Sequence, residues 1–91
     1  MKNWYVYIVR CRDGTLYTGI SIDVEKRIDK HNSGLGAKYT HSRCPVKLVM
    51  TEKCKSENEA RKREAEIKGW TRIEKDNFIN LVKKPKYESR P

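Results

Sequence analysis

The stretch Trp4-Tyr5-Val6-Tyr7-Ile8-Val9-Arg10-Cys11-Arg12-Asp13-Gly14-Thr15-Leu16-Tyr17-Thr18-Gly19-Ile20 decides the fold. Two short apolar runs, Trp4 to Val9 and Leu16 to Ile20, flank an Asp-Gly pair, which is a strong β-hairpin signal. In the first run Trp4, Val6 and Ile8 fall on one side of a strand, and Tyr5, Tyr7 and Val9 on the other. Both sides are apolar or aromatic, so the strand is expected to be covered on both faces. Loop length decides which face each tyrosine takes, because strand side chains alternate with period two. A two-residue Asp13-Gly14 loop pairs Arg12 with Thr15 and puts Tyr7 and Tyr17 on opposite faces. A three-residue loop from Arg12 to Gly14 pairs Cys11 with Thr15 and places Gly14 where a left-handed backbone is wanted. It sets both tyrosines on one face, with Tyr7 opposite Gly19. We favour the three-residue loop. Gly19 is then expected to leave an open patch where a ligand can approach the sheet.

Beyond the hairpin, Ser21 or Asp23 can cap a helix that runs roughly to Ser33 and stops at Gly34. Its apolar residues Val24 and Ile28 are four apart. Arg27 and His31 are also four apart, on an adjoining stripe. Two positive-capable groups at that spacing gain nothing from each other, so a shared anionic partner accounts for them better than a surface pair. Gly34 to Pro45 reads as a flexible loop, with Lys38, His41 and Arg43 making it basic and Tyr39 offering a surface for base stacking. An ordinary polar connector is the alternative. Val46 to Cys54 reads as a third strand, with Val46, Leu48 and Met50 on one face.

Ser56 and Glu59 form a capping box for a helix that ends at Gly69. Glu64 lies on its apolar stripe, four after Ala60 and three before Ile67, where a carboxylate is costly unless it is paired or holds a metal. The pairing alternative is a salt bridge to Arg27 or to Lys68. Thr71 and Glu74 form a second capping box, and the last helix is expected from Arg72 to Val82. Residues 83–91 hold two prolines and read as a mobile basic tail after a single domain over residues 1–82.

The 91 residues make one domain with a small core. The net charge of +9, from 21 Lys and Arg against 12 Asp and Glu, points to a polyanionic partner, nucleic acid above all. No apolar run is long enough to span a bilayer, and no secretory leader is expected. Three cysteines, Cys11, Cys44 and Cys54, read as reduced thiols of a cytoplasmic protein. A zinc site with His31 or His41 is the alternative, but no two of the cysteines stand at the spacing of common zinc modules.

Y-V-Y at Tyr5 to Tyr7 followed by Y-T-G at Tyr17 to Gly19 resembles the paired motifs of the GIY-YIG nuclease superfamily. Lys26 to His31, K-R-I-D-K-H, is similar to that family's Arg-x-x-x-His helix. Asn58 to Lys68, N-E-A-R-K-R-E-A-E-I-K, is similar to its later helix with a metal-binding glutamate. The likeness spans Trp4 to Ile79, and it is closest to the small stand-alone single-domain branch. It implies an α+β fold, a three-stranded antiparallel sheet flanked by helices. It also implies divalent-metal-dependent endonuclease activity on DNA, with structured or repair-intermediate DNA as the candidate substrate and RNA as an alternative. By the same resemblance Tyr7 would activate or orient the attacking water with Tyr17 beside it, and Arg27 would neutralise the phosphate. His31 would orient water or assist proton transfer, and Glu64 would hold Mg2+ or Mn2+. Arg27, a metal and the basic surface are expected to lower the Tyr7 pKa. Tyr5 stands where the family has its first glycine, and Thr18 where the second motif has isoleucine. Asn77 and Asn80 are both candidates for a late asparagine that many members carry. The alternative function is a non-catalytic nucleic-acid-binding module that keeps the fold, and a third is a protein-interaction adaptor using its tail.

Overall fold

The computed structural model describes the backbone of residues 3–88 and the side chains of residues 3–82. The chain runs β1 (Trp4–Arg10), β2 (Leu16–Ser21), α1 (Val24–Asn32), α2 (Lys38–His41), β3 (Lys47–Cys54), α3 (Glu57–Lys68) and α4 (Arg72–Glu88). The three strands form one antiparallel sheet in the order β2-β1-β3, the α+β arrangement expected.

The hairpin closes through the three-residue loop. The Cys11 N–H donates to the Thr15 carbonyl at 2.8 Å, and the Gly14 N–H donates to the Cys11 carbonyl at 2.9 Å. Gly14 has a φ of 88°, the left-handed conformation that glycine adopts without steric cost. Asp13 Oδ1 accepts from the Thr15 N–H and hydroxyl, which fixes the turn and holds its carboxyl below the usual carboxylate range. Val9 therefore pairs with Tyr17 and Tyr7 with Gly19.

Central β1 is buried on both faces, as its two apolar sides require. Val6 and Ile8 pack into a core with Val49, Met50, Ala60, Ile67 and Ile79, covered by α3 and α4. Tyr7, Val9 and Cys11 pack with Val46, Tyr17, Val24 and Ile28 beneath α1. Asp23 is the residue that caps α1, accepting the Lys26 N–H, while Ser56 caps α3 by accepting that of Glu59. Thr71 and Glu74 complete a reciprocal box at the start of α4.

Three expectations change. The β3 register shifts between Ile8 and Val9, so that Ile8 pairs with Met50 and Val9 with Leu48. The extra residue, Val49, breaks the period-two pattern. Val46, Leu48 and Met50 therefore do not share a face: Val46 joins the Tyr7 side, Met50 joins the Ile8 side beside Val49, and Leu48 is exposed. The basic loop contains a helical turn, α2, tied to the hairpin by a 3.0 Å ion pair between Arg43 Nε and Asp13 Oδ2. Lastly, α4 continues to Glu88 instead of ending at Val82. Lys83, Lys84 and Lys86 are good helix formers, whereas Pro85 inside the extension is not, so propensity alone does not account for the added turns. Residues 89–91 of the expected tail lie outside the described residues.

Candidate active site

Gly19 shapes the site by its missing side chain. A Cβ there would lie 2.5 Å from the Tyr7 hydroxyl. The patch that glycine opens is thus filled by the phenol of Tyr7 and is not free for a ligand. Directed across β2, that hydroxyl lies 2.9 Å from Nε2 of His31. His31 is fully buried, deeper than the border position its helical spacing suggested. Its other nitrogen, Nδ1, is 2.7 Å from Thr40 Oγ1, whose hydroxyl donates to the Ala37 carbonyl at 3.0 Å. Gly36 permits this approach, since a Cβ there would press on the His31 backbone and ring.

The hydrogen-bond chain fixes the proton positions. Thr40 spends its one proton on Ala37, so it accepts from His31 Nδ1–H. Nε2 then carries a lone pair and accepts from the Tyr7 hydroxyl. The reverse order would leave the buried Tyr7 proton without an acceptor among the described residues. Burial, followed by the nearby Arg27 charge, pushes the His31 pKa below its ordinary value, which keeps the ring neutral.

Tyr7 departs from expectation. Burial raises its pKa, and the opposing pull of the Arg27 guanidinium does not overcome it; the Tyr17 and Glu64 charges push the same way as burial. Counting charges predicted a lowered value because it omitted desolvation. Tyr7 is a protonated phenol whose hydrogen-bond acceptor is a neutral histidine.

Tyr17 stands edge-on to His31, with ring centroids 5.4 Å apart, and stacks on Tyr39 at 5.9 Å. The Arg43 guanidinium lies 4.1 Å from the centroid of the same Tyr39 ring, which remains partly exposed. Arg43 also bonds Asp13 and the Tyr39 carbonyl, and His41 bonds the Gly34 carbonyl. Both serve the loop's own geometry. Lys38 is exposed on α2.

Glu64 is half-buried on α3, and its Oε2 lies 3.1 Å from Lys68 Nζ. Of the two pairing alternatives, the Lys68 bridge is the one that forms. The carboxylate therefore already holds a cation, the lysine ammonium. Among the described residues no three His, Cys, Asp or Glu side chains converge as a metal cage. A single half-buried carboxylate does not suit zinc, but it suits magnesium, which binds through one or two carboxylates and keeps several waters. Asn77 and Asn80 are both exposed on α4; Asn77 borders a separate groove with Trp70, Phe78 and Leu81. Sequence reading missed Thr40 and the Lys68–Lys75 side of the cleft beside Tyr17. A hydroxyl within an otherwise basic run was the available signal for Thr40.

Residues 3–77 match the family profile described as the GIY-YIG catalytic domain. A UPF0213 protein of Staphylococcus saprophyticus is 54% identical over 80 residues, which cover 88% of this chain and 98% of that protein. A UPF0213 protein of Staphylococcus aureus is 53% identical over 79 residues, covering 87% and 96%. Two solution NMR structures are similar. A UPF0213 protein of Bacillus halodurans has a TM-score of 0.57 at 48% identity, covering 87% of this chain and 84% of that one. A protein of E. faecalis has a TM-score of 0.62 at 40% identity, covering 90% and 88%.

Proposed function

The chain belongs to the GIY-YIG catalytic-domain family, a nuclease family, and on that premise we propose that it is a divalent-metal-dependent endonuclease hydrolysing phosphodiester bonds of DNA. The observation that carries the reading is the buried chain from Tyr7 through His31 to Thr40, set where the charges of Arg27 and Glu64 both act on the phenol. A phenol whose hydroxyl is aimed at a neutral imidazole is arranged to move a proton.

In the proposed reaction His31 Nε2 takes the Tyr7 proton as the phenol oxygen takes one from the attacking water. The water oxygen bonds to phosphorus in line with the leaving oxygen, whose bond to phosphorus breaks and which is protonated from solvent. Arg27 offers a two-pronged donor to the phosphate oxygens and favours the transient phenolate. Tyr17 walls the imidazole on one side. Glu64 would hold Mg2+ or Mn2+ after Lys68 leaves it. The bound cation would supply Lewis-acid neutralisation of the phosphate. A branched or otherwise structured DNA is the proposed substrate, and the cytoplasm is the proposed location. No helix among the described residues is long and apolar enough to cross a membrane.

The Lys68–Glu64 pair favours a second reading, a module that binds nucleic acid without cutting it. Incubation of wild type and Glu64→Ala with branched, nicked and plain DNA in magnesium or manganese separates the two. The nuclease reading expects cleavage by wild type and its loss in the variant. Equal behaviour of both proteins on every substrate overturns it.

A further inference from the structure

Beside the Tyr7–His31 pair, on the sheet edge formed by β2, lies a cleft of about 280 Å3 lined by Leu16, Tyr17, Thr18, Tyr39, Lys68 and Lys75. We propose that this cleft is a subsite for a backbone phosphate of the nucleic acid, taking a neighbour of the phosphate to be cut. The proposal rests on the nuclease reading for its ligand.

Two helices contribute lysines to the lining of one concavity. Lys68 comes from the last turn of α3, with Nζ 5.9 Å from the Tyr17 ring centroid, and Lys75 comes from the start of α4. The capping box at Thr71 sets where α4 begins, and so where Lys75 sits on the first turns of the helix. The local acids are largely committed elsewhere. Glu74 accepts the Thr71 N–H at 2.8 Å, and Asp76 bonds Arg72 at 3.1 Å. Only Glu64 answers the two lysines, through Lys68, and Lys75 makes no ion pair among the described residues. The cleft is therefore left with an excess positive charge.

Its chemistry favours a phosphate over a base. Lysines act on phosphate as compact point charges. The Tyr39 ring, the natural stacking surface, is engaged by Tyr17 and Arg43. A strand held this way is positioned without being read, because phosphate contacts carry no sequence information. Tyr17 lines the cleft and also touches His31, so a phosphate seated there fixes the register of the strand across the Tyr7 hydroxyl.

The test is binding of the full-length chain to short labelled single-stranded and branched DNA across a salt series, with calcium in place of magnesium. Lys75→Ala should reduce the slope of log affinity against log salt by about 0.7–0.9, the signature of one lost phosphate contact. The same loss corresponds to about five- to eight-fold weaker binding at ~0.1 M salt, equal for unrelated sequences. Lys75→Arg should keep the slope, and so should Lys53→Ala, an exposed lysine on β3. Matching circular dichroism and melting temperature exclude misfolding, and in cleavage Lys75→Ala should raise KM. A Lys75→Ala slope equal to that of wild type or of Lys53→Ala overturns the subsite. Cleavage with such an unchanged slope sinks the subsite alone, whereas the expected slope change without cleavage in magnesium sinks the nuclease reading alone. Absence of DNA binding sinks both.

Discussion

The two faces of β1 are equally dry and otherwise unlike. On one, Val6 and Ile8 are fully buried against Ala60, Ile67 and Ile79, in contacts that have no direction. On the other, Tyr7 is 1% exposed, and the His31 and Thr40 that extend from it are fully buried. Every proton in that second cluster has one acceptor. A buried polar group without a partner costs free energy, and a partly satisfied network is worse than an apolar core. Among the described residues no buried side-chain nitrogen or oxygen is left unpartnered. Alternate residues of one strand thus divide the work. The apolar face stabilises the sheet, and the polar face holds a hydrogen-bonded chain at fixed distances on top of it.

Paired substitutions break the comparison most sharply. Tyr7→Phe keeps the ring that packs with Val9 and Val46 but removes the hydroxyl. Cleavage should fall about 10²–10⁴-fold, a barrier increase of roughly 3–5 kcal/mol, with the fold retained. Ile8→Ala, its neighbour on the opposite face, should do the reverse. It leaves a cavity among Val49, Met50 and Ile67 and should cost about 2–5 kcal/mol of stability in denaturant unfolding. Under conditions where it is folded, its cleavage rate should stay close to wild type. A Tyr7→Phe variant that still cleaves at the wild-type rate would remove the functional distinction between the faces.

How much of this the sequence disclosed depends on the physics behind each part. The hairpin register was legible because a short loop around Gly14 leaves few pairings, and period two then assigns every side chain to a face. The β3 bulge was not legible. Val46, Leu48, Val49 and Met50 are all apolar, so either phase of the alternation looked satisfied, and only packing against both cores chooses. α2 is four residues long, too short for a helical period to show. Tyr7, Tyr17, Arg27, His31 and Glu64 were legible as an ordered set of motifs, and the structure brings the first four around one sheet edge with Glu64 near enough to act on Tyr7. The Tyr7 pKa ran the other way because composition reveals charges but not burial. Thr40 escaped because its role depends on the close approach that Gly36 allows, a tertiary fact.

A smaller effect sharpens the polar face itself. Thr40→Val conserves shape and removes the acceptor of His31 Nδ1–H. A buried donor left unpaired costs about 1–3 kcal/mol. The proton should move to Nε2, visible in the nitrogen chemical shifts of the imidazole, and kcat should fall with KM held because Nε2 can no longer accept from Tyr7. Thr40→Ser should restore both the shifts and the rate. An imidazole already protonated on Nε2 in wild type would show that the chain of donors runs the opposite way.

The smallest effect is a difference in acid sensitivity between the faces. Native His31 has a pKa below its ordinary 6.5, first through burial and then through Arg27. Between that lowered value and 6.5 the unfolded chain binds a proton at this residue and the native chain does not. Stability therefore rises with pH through this window, levels off above about 6.5, and is lost on acidification toward the native pKa. The Asp13 contribution, lowered from 3.8 chiefly by its Thr15 hydrogen bond, is present above 3.8 and is lost only in more acid solution, so the two windows are separate. The apolar face carries Cys54, whose thiol burial pushes up from 9.0, and it adds nothing on the acid side. Urea unfolding of wild type between about pH 5 and 7 should show the slope, and His31→Gln should flatten it even though the variant is less stable overall. An equal slope in the variant would mean that the acid sensitivity arises outside the polar face, and that His31 is charged in the native protein or is not shielded from water.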